Sequence, residues 1–265
     1  MAKQISVIVI TYNRPENLER VLVSIAKQEG VDGKFELIVS DDGSTDHTPS
    51  VVEEFGKSVD FPVRFVTHPD RGFELSRTRN DGVRASEGDF ILLIDGDCAV
   101  PPDHVATHFN ERCKGVVRGL ETPVWLTEEQ SSRVDLENIE DGTFLKEITW
   151  RQRYELRKRA FRSSFYSLIR HPRKSRLLGG NMGLFREDYE RVNGCDERFV
   201  GWGHEDDDLN ARMRSVGMRL KSIIGKTYTC HLWHPVAPSR PDDPARGENV
   251  SYLYRPVRLS KCMEG

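Results

Sequence analysis

Short, nearly continuous apolar runs, each closing on a polar turn, constrain this chain more than any other feature. Ile5-Ser6-Val7-Ile8-Val9-Ile10 ends at Thr11-Tyr12-Asn13-Arg14-Pro15. Phe35-Glu36-Leu37-Ile38-Val39 ends at Ser40-Asp41-Asp42-Gly43-Ser44, and Phe90-Ile91-Leu92-Leu93-Ile94 ends at Asp95-Gly96-Asp97. Runs of this length, rich in β-branched residues, read as strands buried on both faces of a parallel sheet. Between them the apolar spacing becomes helical. Leu18, Val21, Leu22 and Ile25 follow Pro15, a residue suited to the first turn of a helix. Val51, Val52 and Phe55 mark a second helix, Val63–Val66 a further strand, and Ser76–Ala85 a third helix. This alternation predicts an α/β fold with a doubly wound, mostly parallel, Rossmann-like sheet. Ligands of such sheets bind at the carboxyl ends of the strands, so the turns at Thr11–Arg14, Asp41–Ser44 and Asp95–Asp97 are expected to converge.

From Pro101 to Arg176 the pattern weakens. Glu128–Glu147 is acidic and Trp150–Arg176 is basic, with Arg151, Arg153, Arg157, Lys158, Arg159, Arg162, Arg170, Arg173, Lys174 and Arg176 opposed only by Glu155. Helical spacing recurs at Tyr154, Phe161, Phe165 and Leu168. Leu178–Phe185 is strand-like and punctuated by glycine. Glu205–Ser215 reads as a helix with acids in its first turn, the end that favours negative charge. Thr227–Trp233 reads as a last strand with Trp233 in the core, and the prolines from Pro235 to Pro244 mark a loop or tail.

Composition narrows the class. A chain of 265 residues buries a substantial core, and a net charge of −3 supplies no overall field toward nucleic acid. No apolar run approaches the roughly 20 residues that span a bilayer. Cys98, Cys113, Cys195, Cys230 and Cys262 are scattered without metal or disulfide spacing. Met1–Gln4 leads straight into a strand, with no signal-peptide pattern. A cytoplasmic location is expected, with the basic segment 150–176 as a peripheral contact to the inner face of the membrane.

The chemistry concentrates in paired acid clusters. Asp95-Gly96-Asp97 stands where a buried strand meets the surface, and carboxylates there can hold a divalent cation against a diphosphate. Gly201-Trp202-Gly203-His204-Glu205-Asp206-Asp207-Asp208 sets a row of acids behind an aromatic ring and glycines. An indole offers an apolar face to a sugar ring, and a carboxylate beside it can accept a hydroxyl proton. Adjacent acids should also raise one another's pKa. A metal-diphosphate site beside a base and an aromatic platform points to sugar transfer from a nucleotide sugar.

The ordered set of Ile5–Ser44, Ser76–Gly82 and Asp95–Asp97 resembles the nucleotide-binding half of a family 2 glycosyltransferase of the GT-A fold. Gly179–Asp208 resembles the acceptor region of β-1,4-galactosyltransferases and bacterial chondroitin polymerases. The resemblance covers roughly residues 5–100 and 177–235. It implies a single GT-A domain, with a nucleotide-sugar-binding half at 1–100 and an acceptor-binding half at 101–265. It also implies roles. Thr11, Tyr12, Arg14 and Asp42 would bind the uracil and ribose of a UDP-sugar, and Arg79 would support the nucleotide. Asp95, with Gly96, would face the ribose or sugar. Asp97 would ligate Mn2+ or Mg2+, joined by His231 or His234, with His231 preferred. Asp206 would be the general base. Glu205 and Asp207 would hold acceptor hydroxyls beside Gly180 and Trp202. His204 departs from the galactosyltransferase pattern, which has glycine there.

The expected activity is metal-dependent, inverting transfer of Gal, GalNAc or a related hexose to a saccharide or lipid-linked glycan in surface polysaccharide synthesis. Other readings compete. A nucleotidyltransferase would carry a glycine- and lysine-rich loop after the first strand, which Thr11–Arg14 is not. A non-catalytic glycan-binding relative would have lost a metal or base carboxylate, yet Asp95, Asp97 and Asp206 are present. Acids at 205–208 also suit a plain solvated helix start, Asp42 a loop cap, and Arg79 a structural arginine. The basic segment suits a solvated helix, a membrane-surface or lipid-linked acceptor site, or an acidic polysaccharide. Nucleic acid is not expected, since no binding motif accompanies the charge.

Overall fold

The computed structural model describes residues 4–31, 34–169, 176–236, 243, 247 and 249–254. Arg170, Arg173, Lys174, Pro238, Pro241, Pro244 and Cys262 lie outside the described residues. The first half alternates as its sequence dictates: β1 (Ile5–Thr11), α1 (Pro15–Ala26), β2 (Phe35–Asp41), α2 (Thr48–Lys57), β3 (Val63–Thr67), α3 (Leu75–Ala85) and β4 (Phe90–Asp95). The chain continues through β5 (Cys98–Ala99), α4 (His104–Asn110), β6 (Val116–Gly119), β7 (Val124–Trp125), α5 (Glu128–Ser132) and α6 (Leu136–Glu140). Last come α7 (Trp150–Leu168), β8 (Asn181–Phe185), α8 (Arg186–Arg191), α9 (Glu205–Ser215), β9 (Arg219–Ser222), β10 (Cys230–His231) and α10 (Asn249–Leu253).

The main sheet has seven strands in the order β3-β2-β1-β4-β8-β6-β9. The β1–β2, β1–β4, β2–β3 and β6–β9 pairs are parallel, and β8 alone runs against its neighbours. The sheet is therefore mostly parallel, as the apolar runs require. Successive side chains of a strand face opposite sides. Val7 and Val9 of β1 pack with Leu18, Leu22 and Ile25 of α1, while Ile8 and Ile10 pack with Met182, Leu209 and Met213. Helices thus cover both faces.

A second, three-stranded sheet has the order β5-β10-β7. Its β10 pairs antiparallel with β5, placing His231 opposite Cys98. This small sheet brings the end of the chain back to the acids that follow β4. The expected strand over Thr227–Trp233 shrinks to Cys230–His231, and Trp233 is not core: it is 42% exposed. The ladder with β5 and β7 ends before it, so its indole faces the cleft described next.

Candidate active site

Adjoining compartments open beyond the carboxyl ends of β1, β2 and β4. The smaller, about 790 Å3, is lined by Thr11, Tyr12, Arg14, Asp42, Phe73 and Asp95–Asp97 among others. The larger, about 1190 Å3, takes in Asp95, Asp97, Gly180, Trp202, Glu205 and Asp206, with Trp125, Arg162, Tyr166 and Arg176. Arg14, Asp95, Asp97, Trp233 and His234 border both.

Asp97 gathers a cationic and imidazole shell. Arg14 Nη1 donates to its Oδ2 at 2.9 Å, His234 Nε2 lies 3.1 Å from Oδ2, and His231 Nε2 lies 3.6 Å from Oδ1. One ligand atom each from Asp97, His231 and His234 lie within 4.8 Å of one another. A carboxylate with imidazoles is a donor set suited to a divalent metal. His234 Nδ1 sits 2.7 Å from the Pro235 carbonyl, which turns Nε2 inward toward Asp97. Burial would raise the pKa of Asp97, but His234, His231 and Arg14 outweigh it and hold the group at about 2. Asp95 shows the opposite effect. Burial, reinforced by the Asp97 charge, lifts it to about 7.

On the other side of Asp95 lies a charge cluster assembled from α3 and α9. Arg79 is 1% exposed, and its Nη1 donates to Asp206 Oδ1 at 2.8 Å and lies 3.6 Å from Glu205 Oε1. Burial lifts Glu205 to about 7, with the Asp206 charge adding to it. Desolvation leads here, where sequence reasoning had named only neighbouring acids. The row of acids then divides by direction. Asp207 is held by Arg176 Nη2 at 2.7 Å and faces His204 Nδ1 at 3.1 Å, whereas Asp208 turns into the core against Arg212 Nε at 2.7 Å. His204 caps α9 with φ of 72°, a left-handed conformation unusual for a side chain other than glycine.

Gly179 and Gly180 separate the clusters. A Cβ on Gly180 would overlap the Asp95 carboxylate, and one on Gly179 would overlap Arg79 and Asp206. Gly96 is equally confined, since its Cβ would stand 2.8 Å from the Ile10 carbonyl oxygen. Only hydrogen fits at these positions, which lets Asp95 and Asp206 approach one space.

The smaller compartment is more fully braced. Asp42 turns inward, accepting from Glu74 N at 3.0 Å and Thr78 Oγ1 at 2.9 Å, and burial raises it to about 6 despite those bonds. Tyr12 donates to Asp70 Oδ2 at 3.0 Å. Thr11 is buried at the carboxyl end of β1. Asp41, not singled out in the sequence, ties the loop by accepting from Ser44 N at 2.8 Å and Thr67 Oγ1 at 2.7 Å.

Residues 6–117 match the model for glycosyl transferase family 2, and residues 159–235 match the one described as N-terminal domain of galactosyltransferase. Residues 6–117 are thus similar to a family 2 glycosyltransferase domain. The family 2 segment contains Arg14, Asp42, Arg79, Asp95 and Asp97, and the second segment contains Gly180, Trp202, Glu205–Asp207, His231 and His234. Among curated relatives, a validoxylamine A glucosyltransferase of Streptomyces hygroscopicus subsp. limoneus is 30% identical over 226 residues, 81% of this chain and 48% of the relative. Chondroitin synthase of Escherichia coli is 24% identical over 261 residues, 93% of this chain and 37% of the relative. The chain thus spans about half the length, or less, of these relatives.

Solved structures share the fold. A mannosyltransferase from Pyrobaculum calidifontis in complex with GDP-Man and Mn2+ superposes with TM-score 0.59 at 20% identity, over 88% of this chain and 57% of that one. Staphylococcus aureus TarS 1–349 in complex with UDP-GlcNAc superposes with TM-score 0.58 at 17% identity, over 89% of this chain and 60% of that one. The fold is of the GT-A type.

Sequence reasoning missed several residues that border the cleft. Trp125 and Glu121 lie between the matched segments, in a region without strong periodicity. Phe73 follows a loop glycine and carries no motif. Trp233 had been read as core, although its place two residues after His231 was the available signal.

Proposed function

We propose that the chain is a metal-dependent, inverting glycosyltransferase. It would move Gal, GalNAc or a related hexose from a UDP-sugar to a saccharide or lipid-linked acceptor in surface polysaccharide synthesis. The observation that carries this reading is the shared cleft. The Asp97–His231–His234 set and the Arg79–Asp206–Glu205 cluster face one space across Gly179 and Gly180.

In this reading residues 1–100 hold the donor and 101–265 the acceptor. Thr11, Tyr12 and Asp42 take the uracil and ribose in the smaller compartment. Asp97, His231 and His234 would hold Mn2+ or Mg2+, which would supply positive charge to the departing diphosphate. His234, its Nδ1 against the Pro235 carbonyl, presents Nε2 as a ligand of set orientation. Arg14, beside Asp97, adds a fixed cation at the same place. Asp95 and Gly96 border the sugar. Trp202 and Trp233 offer apolar faces to the rings, and Glu205 and Asp207 orient hydroxyls.

The acceptor hydroxyl oxygen forms a bond to the anomeric carbon as the bond from that carbon to the diphosphate oxygen breaks. Its proton passes to Asp206. Arg79 engages Asp206 Oδ1 and holds the carboxylate in place. Attack from the side opposite the diphosphate inverts the anomeric centre. Arg79, expected from the sequence to support the nucleotide, serves here to position the base.

The test is UDP release from a panel of UDP-sugars with Mn2+, before and after chelation. Release from one sugar, abolished by chelation, is expected. Asp206→Asn should retain Mn2+-dependent UDP binding while transfer falls about 10²- to 10⁴-fold. Near-normal transfer by that variant would refute the base assignment. Absence of both release and UDP binding would refute the transferase reading.

A further inference from the structure

Helix α7 turns an apolar stripe outward. Trp150, Tyr154, Phe161, Phe165 and Leu168 are between 51% and 81% exposed. On a 3.6-residue helix these positions fall within about 60° of one another. The opposite side of α7 is the packed one: Leu156 and Ala160 rest on Leu120, Ile223 and Ile224. Exposed cations border the stripe, with Arg157 on one edge and Arg151 and Lys158 on the other. Arg162 and Tyr166 of the same helix line the larger compartment, roughly 110° around from the stripe.

We propose that α7 seats this stripe in the interface of an anionic lipid bilayer, with the larger compartment opening beside the headgroups. Charge selects the occupant. A second copy of the helix would bring like charge against like. An acidic polysaccharide would suit the cations and aromatic rings, but Leu168 and the adjoining exposed Ile169 offer it nothing. A bilayer answers every part: aliphatic chains enter the acyl boundary, aromatic rings sit at headgroup level, and flanking cations meet lipid phosphates. The helix, about 28 Å long, would lie in the interface. No described helix is long and apolar enough to cross a membrane. The orientation puts Arg162 and Arg176 where a lipid-linked saccharide would enter. That last step rests on the transferase reading above, whereas bilayer binding does not.

The experiment is co-sedimentation of the chain with phosphatidylcholine vesicles, with and without phosphatidylglycerol. Binding to the anionic vesicles, released by salt, is expected. The double variant Phe161→Ser/Phe165→Ser should weaken it at least about 10-fold. Its circular dichroism and its Mn2+-dependent UDP binding should match the parent, which separates the surface from the cleft. Several results would overturn the proposal: no sedimentation, equal binding to neutral vesicles, or unchanged binding by the variant. So would a dimer in solution, or binding to an acidic polysaccharide without vesicle binding, that the double variant abolishes. Loss of UDP release with vesicle binding intact would instead refute the transferase reading alone.

Discussion

Replacing Arg79 by Met tests the electrostatic centre of the site. The side chain of Arg79 is 2% exposed, and those of Asp206 and Glu205 are 14% and 11% exposed. At an effective dielectric near 20, charges at these separations attract by about 5 to 6 kcal/mol each before desolvation is counted. Met keeps much of the volume but removes the cation, leaving carboxylates buried without a partner. Loss of one member of a buried pair costs about 3–5 kcal/mol. The pH dependence is the sharper signature. Glu205, already lifted by burial to about 7, must rise further once Arg79 is gone. A carboxyl whose folded pKa exceeds its unfolded value favours folding below the unfolded value. That contribution is lost as pH rises toward the folded one. In the parent this loss is complete just above pH 7, whereas in the variant it continues, at up to about 1.4 kcal/mol per pH unit for each group. Urea unfolding at pH 5.5 and 8.5 should therefore show a small deficit at the lower pH and about 3–5 kcal/mol at the higher. Arg79→Lys should recover part of it. A deficit that is independent of pH, or below about 1 kcal/mol at pH 8.5, would refute the argument.

Gly180→Ala drives a methyl group into the Asp95 carboxylate, so transfer should fall about 100-fold through misplacement of that group. Gly225→Ala, whose Cβ would meet Ala160 Cβ at 3.6 Å, should leave both stability and UDP release unchanged, and equal behaviour of the two variants would sink the steric reading. His108 is held by burial at about 4, well below its ordinary value of 6.5. Its neutral form therefore stabilises the fold above pH 6.5, and that contribution is lost as pH falls toward 4. The stability advantage of the parent over His108→Gln, read by urea unfolding, should shrink by about 2 kcal/mol between pH 7.5 and 5. A constant difference would show that His108 titrates alike in the folded and unfolded states.

The first half of the fold was legible because its elements are long and periodic. β1, β2 and β4 are mostly apolar, and α1 repeats Leu18, Val21, Leu22 and Ile25 on one face. The helix at Glu205–Ser215 was legible from its acidic first turn. What stayed hidden is short or depends on distant pairing. β6 is only Val116–Gly119, and β9, Arg219–Ser222, carries charge like an edge strand and has no apolar alternation to announce it. The candidate site divides in the same way. The acids at 95, 97 and 205–207 could be chosen by motif. No local pattern shows that Arg79 would reach Asp206, 127 residues away, or that Asp208 would turn from the cleft to Arg212. Those outcomes depend on how α9 is rotated against α3, which tertiary packing decides.

The reversed strand β8 makes that packing productive. Because it runs antiparallel to β4, its amino end lies at the carboxyl end of β4, with Ile94 opposite Asn181. The residues before Asn181 are Gly179 and Gly180, so the reversal delivers the small residues to Asp95, and Gly180 O accepts from Asp95 N at 3.1 Å. A parallel β8 would carry them to the opposite edge of the sheet, far from every carboxylate in the site. The chain fixes this register from beneath. Asn181 Nδ2 donates to His104 Nε2 at 2.7 Å, so His104 carries its proton on Nδ1 and donates to Thr227 Oγ1 at 2.7 Å. His108 Nε2–H donates to Asn181 Oδ1 at 3.0 Å. The bond from Asn181 requires a neutral His104, which agrees with the depression of that group by burial. Protonation of His104 would replace its acceptor by a second donor facing the Asn181 amide. Acid strong enough to protonate His104 within the folded chain should therefore loosen β8, and with it the Gly179–Gly180 turn between the two halves of the cleft.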